Sequence, residues 1–166
     1  MAGLISNLID TLRGQVELYQ QISALSVRKK DYIIKNDIES LRKIVGEENA
    51  IVPKVMRGDK ERERIMKDIC MVLNKPQEDM TLSYLVTLME NQPEHAELAE
   101  VVEKTKAAVY ELNDINDDNK TLIENALEYI DYNINLIHST FSEVPASYGS
   151  NYEEVGEQRS FLDING

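Results

Sequence analysis

Two histidines, one cysteine and thirty acidic side chains are what this 166-residue chain offers for chemistry. A metal centre needs three or four His, Cys or carboxylate ligands converging at fixed spacing. His95 and His138 sit at opposite ends of one long helical pattern, so a single chain cannot bring both to one ion. Cys70 has no second cysteine to pair with, which fits a reducing compartment, the cytoplasm being the simplest. Acid–base catalysis needs carboxyls in contrasting environments, and the carboxylates here are strewn over charged helix surfaces. His138 reads as a helix-end residue favoured by the dipole rather than as a general base. No glycine-rich phosphate loop precedes a helix. The residues predict no enzyme, no metal and no cofactor.

The elements that would position any site are helices. With 42% hydrophobic and 29% charged residues, the chain has the composition of a folded protein rather than a disordered one. Four prolines and seven glycines, three of the latter in the last 25 residues, leave the rest free to be helical. Residues 1–75 carry 14 Lys+Arg and 11 Asp+Glu, and residues 76–166 carry 4 and 19, so +3 and −15 sum to the net −12. Such an acidic half repels phosphate backbones and excludes nucleic acid as the expected ligand. It serves as a solvated helix surface or steers a basic partner. No apolar run approaches about 20 residues, so no stable membrane insertion is expected. The amphipathic N-terminus "MAGLISNLIDTLRGQ" lacks the basic start and apolar core of a signal peptide.

Ile5, Leu8, Ile9, Leu12, Val16, Tyr19, Ile22, Leu25 and Ile33 recur at helical spacing and predict a first helix over about 4–34. "KNDIESL" restarts the pattern, with Asn36 as cap and Glu39 three residues on. A second helix follows, with a kink or break expected at Pro53. The "RGD" at 57–59 reads as chance. "NKPQED" is a turn, 80–90 a short apolar helix, and Pro93 opens the next helix. Met56, Met66, Met71, Met80 and Met89 read either as core filling near a kink or as an adaptable surface.

The last helix, about 94–141, is the clearest. Leu98, Val101, Thr105, Ala108, Leu112, Ile115, Asn119, Leu122, Ala126, Tyr129, Asn133 and Leu136 form a heptad seam. Asn119 and Asn133 fall in seam positions, where a polar residue fixes register or is an ordinary half-buried amide. Ile123, Leu127, Ile130 and Ile134, continued by Ile137, form a second stripe. Either helix 80–90 covers that stripe or an external amphipathic helix does. The expected fold is all-α: an elongated antiparallel bundle or hairpin of long amphipathic helices with coiled-coil-like packing. Residues 1–141 are its helical domain and 142–166 a flexible C-terminal tail.

Several stretches resemble the FlgN family of flagellar export chaperones. "KNDIESLRKIVGEENAIV" is similar to a capped restart followed by a helix bearing a glutamate, here Glu47 or Glu48. "RERI" resembles an arginine-containing segment. "NKTLIENALEYIDYNINLI" resembles an Asn-x-x-(Leu-Leu) stretch, with Asn119, Leu122 and Ile123 in those places. "SYGSNYEEVG" and "SFLDING" resemble a tail with Tyr-Gly, a second glycine and an apolar-Asp close. Pro53 and "NKPQEDMTLSYLVTLMENQP" depart from the pattern. The resemblance implies a cytoplasmic chaperone that binds the terminal helical segment of hook-filament junction proteins, prevents premature assembly and delivers them to the export gate. It maps substrate binding to Ile123, Leu127, Ile130, Ile134 and Ile137, and export-gate contact to Tyr148 beside Gly149, with Tyr152 as competitor. Set against it are a self-associating coiled-coil protein, with a homodimer as its simplest form, and a chaperone for flagellin or the filament cap.

Overall fold

A computed structural model describes the backbone of residues 1–142 and the side chains of residues 1–139. Among the described residues the chain is four helices with no strand: α1 (Ala2–Lys35), α2 (Ile38–Leu73), α3 (Leu82–Leu88) and α4 (His95–Ser142). The chain divides into two units, Met1–Tyr129 and Ile130–Gly166.

In the first unit, side-chain pairs fix the directions of the helices. Gln15 meets Asp59, Ser26 meets Glu48 and Arg28 meets Glu47, so α2 runs antiparallel to α1. Arg13 meets Glu97, Ser26 meets Asn119 and Lys30 meets Asp118, so α4 runs parallel to α1. The hairpin turn needs only two residues. Asn36 ends α1 in the left-handed region (φ 54°), which asparagine tolerates better than most residues. Asp37, rather than the expected Asn36, caps α2 by accepting from the Ser40 N–H at 3.1 Å. Asn74 ends α2 in the same left-handed way as Asn36 ends α1.

Pro53 does not break α2, which continues unbroken to Leu73. Proline removes the bond to the carbonyl four residues back. Asn49 and Pro53 both lie on the exposed face, so water satisfies the freed oxygen. The "RGD" residues are helical, and Asp59 is occupied by Gln15 and Arg62. Gly58 permits that contact, since a Cβ there would come within 3.1 Å of Gln15 Cγ. Pro93 lies in the turn before α4 instead of opening the helix.

The hydrophobic core is one-ended. Ile5, Leu8, Ile9 and Leu12 of α1 meet Ile65 and Ile69 of α2 and Leu98, Val101 and Val102 of α4. α3 closes that end with Leu85, flanked by Met80 and Met89. It therefore does not cover the stripe beginning at Ile123, as the sequence allowed. Its short connections tie it to Leu73 and His95, and Ile123 lies about 40 Å further along α4 at 1.5 Å per residue.

Midway along the unit the core turns polar. Fully buried Ser26 donates from Oγ to Glu48 Oε1 at 2.8 Å, and Lys29 Nζ donates to both carboxylate oxygens at 2.7 and 2.8 Å. Asn119 of α4 donates from Nδ2 to the Ser26 carbonyl at 2.9 Å. Asn116 Oδ1 lies 3.5 Å from Ser26 Oγ. Ser23 Oγ and Asn119 Oδ1 are buried with no partner among the described residues, each such atom costing about 1–3 kcal/mol.

Leu8→Ala should therefore cost ~2–5 kcal/mol, and Ile134→Ala no more than about 0.5 kcal/mol, in urea unfolding followed by circular dichroism. Glu48→Leu strands Lys29 and should cost ~1–3 kcal/mol. Adding Lys29→Met should recover most of that loss, because the uncompensated charge is then removed too.

Candidate functional site

The heptad seam of α4 is buried at Leu98, Val101, Thr105, Ala108 and Asn119. Leu112, Ile115 and Leu122 are half-buried. From Lys120 to Ser139 no described residue is buried, and the seam residues Ala126, Tyr129 and Leu136 are exposed. The helix keeps its apolar pattern past the point where it keeps apolar neighbours.

Each predicted stripe residue is open to solvent. In the first unit Ile123 is 42% exposed and Leu127 56%; in the second Ile130 is 49%, Ile134 47% and Ile137 55%. At ~100° per residue Ile123 and Leu127 lie close to the direction of Leu98, Thr105 and Leu112. The stripe thus continues the face that α4 buries earlier, while the strict seven-residue seam drifts about 20° per heptad away from it. Aliphatic side chains so placed cannot donate, accept or titrate. What they can do is remove apolar area from water, at roughly 25 cal/mol per Å².

The two seam asparagines have different surroundings. Asn119 is 3% exposed and holds the Ser26 carbonyl, whereas Asn133 is half-buried in the second unit. Of the five clustered methionines, Met80 and Met89 are core, Met66 packs against it, and Met56 and Met71 are exposed. Both readings of the methionines thus hold for part of the set. Glu48, not Glu47, is the glutamate bonded into the helix interface, and Glu47 lies 3.9 Å from Arg28 nearer the surface. Tyr148, Gly149 and Tyr152, read as gate-binding, lie outside the described residues, as does the stretch 143–166 of the expected tail.

A hydrogen bond from Arg64 holds the Glu61 carboxyl below its usual range, and one from Lys104 does the same for Glu100. Burial raises the Tyr19 phenol. Both acids lie on exposed helix surface, and the tyrosine lies between α1 and α2 beside Asp59 and Arg62. Among the described residues no group of three His, Cys, Asp or Glu side chains could hold a metal ion, and no helix is long and apolar enough to cross a membrane. The burial of the polar Gln15, Ser23 and Ser26 on α1 escaped the sequence reading. Its signal was present as serines and a glutamine at the core spacing of α1, where apolar residues would continue the pattern.

No curated protein and no solved structure matches the chain. A family model does, described as FlgN protein, over residues 1–157. The match includes α1 to α4, with both the closed core and the bare aliphatic stripe. The chain belongs to the FlgN family, a family of flagellar export chaperones.

Proposed function

We propose that this chaperone holds the terminal helical segment of hook-filament junction proteins against the bare face of α4 and delivers them to the export gate from the cytoplasm. One observation carries the reading: Ile123, Leu127, Ile130, Ile134 and Ile137 recur at helical spacing and are all more than two-fifths exposed. An apolar patch of that kind on a soluble protein marks an interaction site. An amphipathic helix laid along it meets anchors three and four residues apart, the spacing of its own apolar face. The guest's stripe, which would otherwise draw it into premature assembly, is hidden by the same contact. Binding is stoichiometric and uses no nucleotide or cofactor. The acidic C-terminal half, at −15, keeps the complex soluble.

The same exposed face supports a second reading, in which two copies of this chain cover each other's stripes as a homodimer. Flagellin and the filament cap are the rival guests. Light scattering and a binding panel of the three segments separate these readings.

Ile130→Asp should weaken binding of a junction-protein terminal segment by about tenfold or more, since a central apolar anchor becomes a charge that resists desolvation. Helical circular dichroism should be unchanged. Wild-type affinity in this variant contradicts the site. Tyr148 and Gly149 are assigned to the export gate, so deletion of residues 145–166 should spare guest binding and impair export. Loss of guest binding on deletion would make those residues part of the guest site instead.

A further inference from the structure

The α4 stripe is not the one bare apolar face of the first unit. Ile38, Val45, Val52 and Met56 of α2 are all exposed, and at ~100° per residue they fall within about 40° of one another. Their placement follows from the contacts of their neighbours. Ile51 borders Leu25 and Arg28 of α1 on the outer side of the hairpin. Stepping round α2 from there leads through Ile44 to Glu48, whose partner Ser26 also meets Asn116 of α4. Further in the same direction come Leu41, Val45 and Ile38. The α2 stripe is therefore turned toward the side on which α4 packs. A like circuit of α4 starts at Lys104 and Val101, which border Arg13 and Val16 of α1. It passes Asn119, then Ile123 and Asn116, and reaches Leu127, so that edge of α4 lies on the side of α2.

The two stripes also stand level. Ser26, Glu48 and Asn116 share one layer. One heptad beyond it the three helices bring Ile33, Leu41 and Ile123 to a common level, because α2 runs opposite to the other two. Three aliphatic side chains at one level of a three-helix unit would ordinarily be a core layer. Here Ile33 and Leu41 are only half-buried and Ile123 is exposed. Past the polar layer Ile44 is still buried, but beside it an apolar groove opens.

The rim of this groove on α2 is basic. Arg42, Arg57 and Lys60 lie beside the α2 stripe on the side away from α1, all exposed and without an ion pair among the described residues. Lys104, Lys106 and Lys120 of α4, in contrast, are each paired with an acid three or four residues away. In a chain of net charge −12, three uncommitted cations beside an apolar stripe match a guest that brings carboxylates to that edge.

Resting on the function proposed above, we infer that α2 is the second wall of the guest site: Ile38, Leu41 and Val45 face Ile123 and Leu127 across the groove, and Arg42, Arg57 and Lys60 select a guest amphipathic helix with acidic residues along one flank. The two walls bury two sides of the guest, and the basic rim sets its orientation.

The test is titration of the labelled terminal helical segment of a junction protein against wild type and three variants of the full chain: Val45→Asp, Ile130→Asp, and the charge reversal Arg42→Glu/Arg57→Glu/Lys60→Glu. The expected result is weakening by about tenfold or more in Val45→Asp. The charge reversal should lose affinity at low salt and lose most of its salt dependence. A photo-crosslinking side chain at position 45 should capture the segment, and this readout needs no loss-of-function variant. If Ile130→Asp is weakened while both α2 variants bind as wild type and position 45 captures nothing, the second wall is wrong and the α4 site stands. If wild type fails to bind the segment, both readings fall.

Discussion

A carboxylate shielded between helices has to be neutralised where it sits, and Glu48 is held by two donors at once, the Lys29 ammonium and the Ser26 hydroxyl. This junction depends on α1 and α2 being antiparallel at one register, since a one-residue slip would leave an ion without its partner in a region water barely reaches. Asn119 adds α4 to the same point through the Ser26 carbonyl. The rest of the first unit follows from that registration. On one side of it aliphatic side chains from three helices close over one another, and α3 seals the end. On the other side Ile44 is still buried, but Ile38, Val45, Ile123 and Leu127 are exposed. Beyond the polar layer most of the aliphatic surface is left open to solvent.

That division reconciles two demands that otherwise conflict. A chaperone for helical segments must display apolar area and yet stay folded and unassociated. Separating a closed core from an exposed face lets each be adjusted alone: Leu8 and Ile65 are fully buried, while Ile123 and Leu127 are open to solvent. Surface charge then limits what binds. Carboxylates crowd α4, whereas cations without an ion pair among the described residues lie along α2, so a guest in the proposed groove would meet rims of opposite sign.

Much of this was legible in the residues. The long helices follow from apolar periodicity and the restart between them from "KNDIESL", although Asp37 is the cap and Asn36, expected there, takes the left-handed position. The stripe from Ile123 to Ile137 stood out because its spacing is regular. What the sequence hid is what depends on a partner in space. Pro53 looks like a break until the freed carbonyl is seen to face water. The direction in which α3 folds back is set by its short connections, which a pattern of apolar residues does not encode. Nothing in the sequence places Ser26 and Glu48 in one layer; the register of the helices does. Nor does periodicity mark where burial of a seam stops: the heptad pattern continues through Tyr129 and Leu136, yet cover ends at Asn119.

The most direct test of a chain closed at one end and open at the other is amide hydrogen exchange, with and without a bound junction-protein segment. The account predicts slow exchange at residues 5–12, 65–70 and 98–102 in both states. It predicts fast exchange at 38–45 and 120–137 in the free protein, slowed strongly in the complex. Uniform protection along α4 in the free chain, or protection gained only at the closed end on binding, would contradict it.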